Sequence, residues 1–309
     1  MISSIEPSGS TGYSGFSGSA QNSLLYLATI LIWGSSWLAI KFQLGSVNPM
    51  VSVAYRFLLA SGILWIYCRC SGRQLIFSLR DHGFMFLQGS TLFGLNYWLF
   101  YISELTLTSG LAAVIFSTIV LMNMLNGVIF LRNSLEFRVV IGAVLGLLGI
   151  MLVFWPEVRD FETGSNNLQA AVLAVLATFL ASLGNIASAR NQSHGIPVVQ
   201  SNTFGMTYGA LLMLIMVWLT ESEFTFEFTF SYVSSLVFLS VFASIFAFWS
   251  YLTLLGRVGV ERAAYATLIF PLVALVISTI FEDYQWSAYA GIGIVLILGG
   301  NLLILKRSV

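Results

Sequence analysis

Apolar stretches of about 20 residues follow one another along most of the chain, separated by short polar breaks. A helix rises about 1.5 Å per residue, so roughly 20 apolar residues suffice to cross a hydrocarbon layer of about 30 Å. Ten runs meet that length and predict helices at 24–43, 50–68, 83–103, 110–130, 138–155, 168–188, 199–219, 232–253, 263–281 and 287–305. The longest connections, PEVRDFETGSNN after the fifth run and TESEFTFEFTFS after the seventh, leave no room for a separate soluble domain. In lipid the backbone must satisfy its own hydrogen bonds, which a helix does. The expected fold class is an all-α integral membrane protein with ten transmembrane helices.

Composition agrees with the pattern. Hydrophobic residues make up 58% of the chain and charged residues 8%, with a mean hydropathy of +0.89, whereas soluble domains carry about 25% charged residues. The formal net charge is zero. No basic surface is available to neutralise phosphates, and nucleic acid is therefore excluded as a partner. Two cysteines, Cys68 and Cys70 in YCRCSG, are too few and too close for a disulfide framework and read as reduced thiols.

Charge placement gives an orientation, because Lys and Arg accumulate in cytoplasmic loops. Arg69, Arg73, Arg80, Arg132, Arg138, Arg190, Arg257 and Arg262 fall in one set of connections, with Lys306 and Arg307 in the tail on the same side. The opposite set holds Arg159 and the marginal Lys41 among Glu104, Glu157, Asp160, Glu162, Glu221, Glu223, Glu227, Glu282 and Asp283. Both termini are therefore expected in the cytoplasm, with the protein in the plasma (inner) membrane. Residues 1–22 are Ser/Gly-rich and lack a basic segment ahead of the first apolar run, so a disordered cytoplasmic tail is expected and a cleaved signal peptide is not.

The chain also repeats itself. A shift of 151 residues lays YWLFYISELTLTSGLAAVIFSTIVLMNMLNGVIF over FWSYLTLLGRVGVERAAYATLIFPLVALVISTIF, pairing Trp98 with Trp249, and IGAVLGLLGIML over IGIVLILGGNLL. Nearer the N-terminus the offset becomes 149, with LAT at 27–29 over LAT at 176–178. Each copy holds five helices, an odd number, so the second must cross the membrane in the opposite sense. Two inverted five-helix repeats around a central site form an architecture of secondary transporters.

At this level the sequence resembles a known family. IWGSSWLAIKFQLGSVNPMVSVAYRF (32–57) and GVERAAYATLIFPLVALVISTIFED (259–283) are similar to segments of the two repeats of the EamA-type drug/metabolite transporter superfamily. The resemblance implies a ten-helix exporter of small metabolites, with amino-acid exporters among its better-understood members. It divides the chain into a first repeat at 23–155, an external loop at 156–167 and a second repeat at 168–309. The first copy departs from the second where Val120 and Leu131 stand opposite Pro271 and Glu282.

Polar residues at helical spacing inside apolar spans mark a cavity, because lipid-facing positions disfavour them. The expected chamber is lined by Thr29, Trp33, Ser36 and Trp37 from the first span, Asn96 from the third, and Asn123 and Asn126 from the fourth. The second copy adds Thr178, Ser182 and Asn185 from the sixth span, Ser240, Ser244 and Tyr251 from the eighth, and Tyr265 from the ninth. For any one Ser or Thr the competing role is a hydrogen bond between helices. Arg56, about two turns inside the second span, needs a partner, either Glu104 or a carboxylate on the cargo. Pro271 lacks an N–H and clashes with the preceding turn, which predicts a kink in the ninth span. Gly142, Gly146 and Gly149, with Gly291, Gly293, Gly299 and Gly300, predict a static packing pair of spans five and ten.

Enzyme chemistry is not expected. The two histidines, His82 and His194, lie in loops at unrelated positions, and neither a zinc helix nor an intramembrane serine with a histidine base is present. There is no Walker loop, and neither cofactor nor metal is expected. No Asp or Glu falls near the middle of any span, so proton antiport, exchange and facilitated diffusion all stay open. The expected cargo is a small amphipathic metabolite, amino acids first, moved by alternating access. Export of drugs or other metabolites and a non-transporting sensor or scaffold are the alternatives. The expected partners are a small-molecule substrate and the lipid bilayer, with the protein a monomer or weak homodimer.

Overall fold

The computed structural model describes residues 14–45, 47–107, 109–161, 165–281 and 286–305. Helices coincide with all ten expected runs: α1 (Ser14–Lys41), α2 (Pro49–Cys70), α3 (Leu79–Gln88), α4 (Asn96–Glu104), α5 (Ser109–Ser117), α6 (Ile119–Leu131), α7 (Phe137–Val153), a short α8 (Trp155–Arg159) within the expected external loop, α9 (Ser165–Ser193), α10 (Val198–Leu219), α11 (Phe230–Phe238), α12 (Ala247–Val258), α13 (Val260–Ala264), α14 (Ala266–Phe281) and α15 (Ala288–Leu305). Six stretches among the described residues are long and apolar enough to cross a membrane: Pro49–Cys70, Leu111–Leu131, Asn166–Ser193, Val198–Leu219, Phe230–Val258 and Val260–Ile277. Large apolar side chains such as Leu31, Ile66, Trp218 and Leu302 remain exposed on the outside of the bundle, as a lipid-facing surface requires.

The packing follows the internal repeat. The principal neighbours are α1 with α12 and α14, α9 with α4 and α6, α2 with α10, and α7 with α15. Exchanging the two copies turns the two α1 pairings into the two α9 pairings and maps α2–α10 and α7–α15 onto themselves. Each of these pairings joins one copy to the other, so neither half has a core of its own. A π-helical turn interrupts the third run at Gly89–Leu95, and another interrupts the eighth at Leu239–Phe246, at equivalent places in the two copies.

The two π turns are held differently. The first lies against bare backbone: a Cβ on Gly94 would meet the Gly209 carbonyl oxygen at 3.3 Å, and one on Gly209 would meet the Gly89 carbonyl oxygen at 2.7 Å. The second is held by side chains from the other copy, since Trp33 Nε1 donates to the Ala243 carbonyl at 3.1 Å and Arg56 Nε donates to Ser244 Oγ at 2.9 Å.

Helices α7 and α15 form the expected small-residue pair. A Cβ on Gly149 would meet the Gly293 carbonyl oxygen at 2.6 Å, and one on Gly142 the Gly300 carbonyl oxygen at 2.8 Å. Gly291 and Gly299 have nothing within 4 Å of that position.

One expectation changes. Helix α1 starts at Ser14, so residues 14–22 of the supposed disordered tail are helical; Gln21 and Asn22 accept hydrogen bonds from Arg257 Nη1 at 3.3 and 3.2 Å. The ninth run is interrupted at Tyr265, and Pro271, where a kink is expected, lies buried inside α14. Tyr265 is fixed from outside, its hydroxyl donating to the Gly142 carbonyl at 2.8 Å. The fourth run is broken too, at Thr118 between α5 and α6, although it contains no proline. Glu282, Asp283, Lys306 and Arg307 lie outside the described residues.

At the end of the bundle bearing the basic loops, Arg190 pairs with Asp81 at 3.0 Å and Arg262 with Glu136 at 2.7 Å. The Ser78 hydroxyl and then Arg190 hold the Asp81 carboxyl below its ordinary value. A depressed carboxyl contributes stability above its unfolded value of about 4 and loses it as the pH falls through the folded value. Asp81→Asn is therefore expected to flatten the acid limb of the stability–pH curve, read by thermal unfolding between neutral pH and pH 3 to 4.

Candidate functional site: a cavity between the two repeats

Spans from both copies line a cavity of about 90 Å³. Its inner end lies at Asn185 of α9, Tyr251 of α12 and Thr267 of α14. Its mouth lies where α1 and α4 end, at Ile40, Tyr101 and Glu104. The walls are mainly aromatic. Trp33 stands 5.0 Å from both Phe248 and Tyr251 and 6.1 Å from Phe270, ring centre to ring centre, and Phe270 leads on to Phe116 and Phe100. Such a surface offers stacking and edge contacts to an apolar or aromatic group, with few polar points to orient it.

Hydrogen bonds close the side away from the mouth; Asn126–Ser182 and Asn123–Asn185 join the copies, while Asn185–Tyr251 and Gln192–Leu252 lie within the second. Asn126 Nδ2 donates to Ser182 Oγ at 2.9 Å, and Asn185 Nδ2 to the Tyr251 hydroxyl at 3.2 Å and Asn123 Oδ1 at 3.4 Å. Nearer the basic loops, Gln192 Nε2 donates to the Leu252 carbonyl at 2.8 Å. A further buried set joins Gln88, Asn191, Ser201 and Asn202, with Gln88 Oε1 accepting from Ser201 Oγ at 2.6 Å and Asn191 Nδ2 at 3.0 Å. Asn123 Nδ2 and Asn185 Oδ1 remain buried without partners.

Of the residues singled out from sequence, Trp33, Ser36, Asn96, Glu104, Asn185 and Tyr251 line the cavity. Asn123, Asn126 and Ser182 lie in the closing layer instead. Thr29 and Thr178 are turned into their own helices, each hydroxyl donating to the carbonyl four residues back, a bond any intramembrane threonine can make with itself. Ser240 is buried with its hydroxyl unpartnered, Ser244 is taken up by Arg56, and Tyr265 packs between α7 and α15. The side chain of Trp37 lies outside the described residues.

Polarity at helical spacing missed the larger part of the wall: Tyr97, Phe100, Tyr101, Phe116, Phe248 and Phe270. One signal was available, since Tyr97, Phe100, Tyr101 and Glu104 recur at the spacing of a single helical face.

Arg56 is 2% exposed. Its guanidinium carbon lies 4.5 Å from the centre of the Tyr97 ring and 5.3 Å from that of Phe57. The expected pair with Glu104 is not formed: among the described residues no carboxylate lies within ion-pair distance of Arg56, and Nη1 has no hydrogen-bond partner. The side chain is drawn toward Ser244 and the Tyr97 ring, whereas Glu104 stands seven residues, about 10 Å, further along the helix at the mouth.

A model of the EamA-like transporter family matches residues 22–155 and again 168–306. The chain belongs to the EamA-like transporter family. The two matched segments are the two copies seen in the packing. Among relatives of this EamA-like chain, Protein PagO of Salmonella typhimurium is 23% identical over 93% of each chain. Uncharacterized transporters of Buchnera aphidicola and of Bacillus subtilis (YoaV) are each 23% identical, covering 81% of this chain and 83% and 84% of their own. A solved crystal structure, 17% identical, superposes with a TM-score of 0.77 over 93% of this chain and 96% of its own, which shows a shared fold. The EamA-like chain is thus an integral membrane protein of transporter type, and family and relatives point away from an enzyme.

Proposed function

We propose that this chain is a secondary transporter that exports small amphipathic metabolites, amino acids first, by alternating access around the central cavity. One observation carries the reading: the cavity lies between the two repeats, reaches one end of the bundle and is closed toward the other by a hydrogen-bonded layer in which Asn126–Ser182 and Asn123–Asn185 cross between the copies. Breaking that layer while closing the mouth would carry a solute across. The basic loops at the closed end favour a cytoplasmic position for it, so the cavity faces outward here, in the plasma (inner) membrane. On this reading all ten apolar runs are spans. Aromatic walls with isolated amides and hydroxyls favour a cargo with an apolar side chain and a small polar head.

The test is counterflow of labelled amino acids in proteoliposomes of the full chain. Uptake above that of empty liposomes for at least one amphipathic amino acid is expected, and equality with empty liposomes across the whole panel would rule the amino-acid reading out. Pro271→Ala is expected to slow counterflow more than it lowers the folded yield, because α14 supplies Thr267 and Phe270 to the cavity and must move as it opens. Yield and rate measured on the same preparation check this, and a loss of yield alone would make the proline structural.

A further inference from the structure

We infer that Arg56 and Tyr101 form a recognition site for a carboxylate carried by the transported solute. The inference rests on the transport reading and gives its cargo a chemical class. A guanidinium is charged at every physiological pH. Here it is 2% exposed inside a membrane protein, and among the described residues the groups that meet it, the hydroxyl of Ser244 and the side chains of Tyr97 and Tyr101, are all neutral. A buried charge with no counter-charge is strongly destabilising, and the chain leaves this one unmatched beside the wall of its cavity.

The unmatched groups identify what is missing. Arg56 Nη1 is buried without a well-aligned partner, and the Tyr101 hydroxyl beside it, placed to accept from the guanidinium, finds no acceptor for its own proton. The guanidinium can only donate, and the hydroxyl has its proton unused. Two donors side by side call for an acceptor, and the positive charge calls for an anion. A carboxylate supplies both, one oxygen to each donor, in short charge-assisted bonds. A phosphate would carry up to twice the charge against this single cation. A cationic or neutral cargo leaves the guanidinium as it stands.

Access runs past Tyr97. Its ring forms part of the cavity wall and covers the guanidinium, held there by the cation–π contact at 4.5 Å and an edge contact with Phe57 at 5.1 Å. Rotation of that one side chain opens a path from cavity to guanidinium. Ser244 lies in the second π turn, so a carboxylate drawing Arg56 toward the cavity also loosens one of the two side-chain ties on that turn.

The experiment is binding to the full-length protein in lipid nanodiscs with two matched pairs: L-phenylalanine against L-phenylalaninamide, and 3-phenylpropanoate against its amide. The first pair keeps an ammonium and the second lacks one, which separates an amino-acid head from a bare carboxylate. In at least one pair the acid is expected to bind at least about tenfold more tightly than the amide. Arg56→Gln is expected to bind acid and amide alike, and Tyr101→Phe to reduce the preference part way. Tyr101→Phe alone carries the test should Arg56→Gln not fold. Equal binding of acid and amide, no binding of either pair, or an undiminished preference in the variants overturns the inference. Failure of the transport reading looks different, as acid-selective binding with no counterflow of any probe.

Discussion

Trp33→Ala is expected to weaken cargo binding at least about 30-fold and to slow counterflow correspondingly, a loss typical of an aromatic anchor at the centre of a binding surface. The indole touches Phe248, Tyr251 and Phe270 and donates its only N–H to the Ala243 carbonyl. Truncation removes the widest flat surface of the cavity, leaves a π-turn carbonyl unpaired and frees three rings to collapse inward. The half-buried ring also supports the fold, so some loss of stability accompanies the loss of binding. Trp33→Phe separates the two effects, since it keeps a ring and loses only the hydrogen bond. Its binding is expected to fall between wild type and Trp33→Ala, measured by ligand titration and by thermal unfolding of the same samples. Normal transport by Trp33→Ala would mean that the solute does not touch this wall.

Gly149→Ala is expected to fail in the opposite manner, with a severalfold drop in folded yield and near-normal transport by the molecules that fold. The added methyl would lie 2.6 Å from the Gly293 carbonyl oxygen and 2.7 Å from Ile297 Cγ1. Backbone cannot give way as a flexible side chain does, so α7 and α15 must move apart; overpacking of this kind costs about 1–3 kcal/mol. Neither helix supplies a residue to the cavity wall, which is why the rate per folded molecule should hold. Gly299→Ala is the control, because nothing lies within 4 Å of its Cβ position and alanine favours the helix. Size-exclusion profiles and counterflow normalised to folded protein check the contrast. A transport defect in well-folded Gly149→Ala would move α7 and α15 from scaffold to working parts.

Much of this architecture was legible in the chain because lipid restricts what a sequence can do. Run length located the helices, and the glycines of the fifth and tenth runs located the pairing of α7 with α15, while the pairing of α2 with α10 carries no such mark in the sequence. The cavity was legible only in part. Thr29 and Thr178 pointed to it by spacing, yet a threonine in a helix can satisfy itself on the preceding turn and say nothing of its surroundings. Tyr97 and Phe248 did not stand out, because an aromatic ring suits lipid, core and cavity equally well. Pro271 was conspicuous, whereas the interruption of the same span at Tyr265 was not, because the partner of its hydroxyl is a carbonyl 123 residues away. Helix interruptions occur in both copies, so asymmetry between them lies less in proline than in how the π turns are held.

Thiol labelling of Ile119→Cys, in the presence and absence of an amino acid that exchanges, tests most directly whether the cavity is the transport path. Ile119 lines the cavity and is 2% exposed, and the native thiols are removed by Cys68→Ala and Cys70→Ala. A membrane-impermeant maleimide is expected to react from the Glu104 side alone without cargo, and from the basic-loop side as well once exchange begins. Labelling that is confined to one side whether or not cargo moves would contradict alternating access through this cavity.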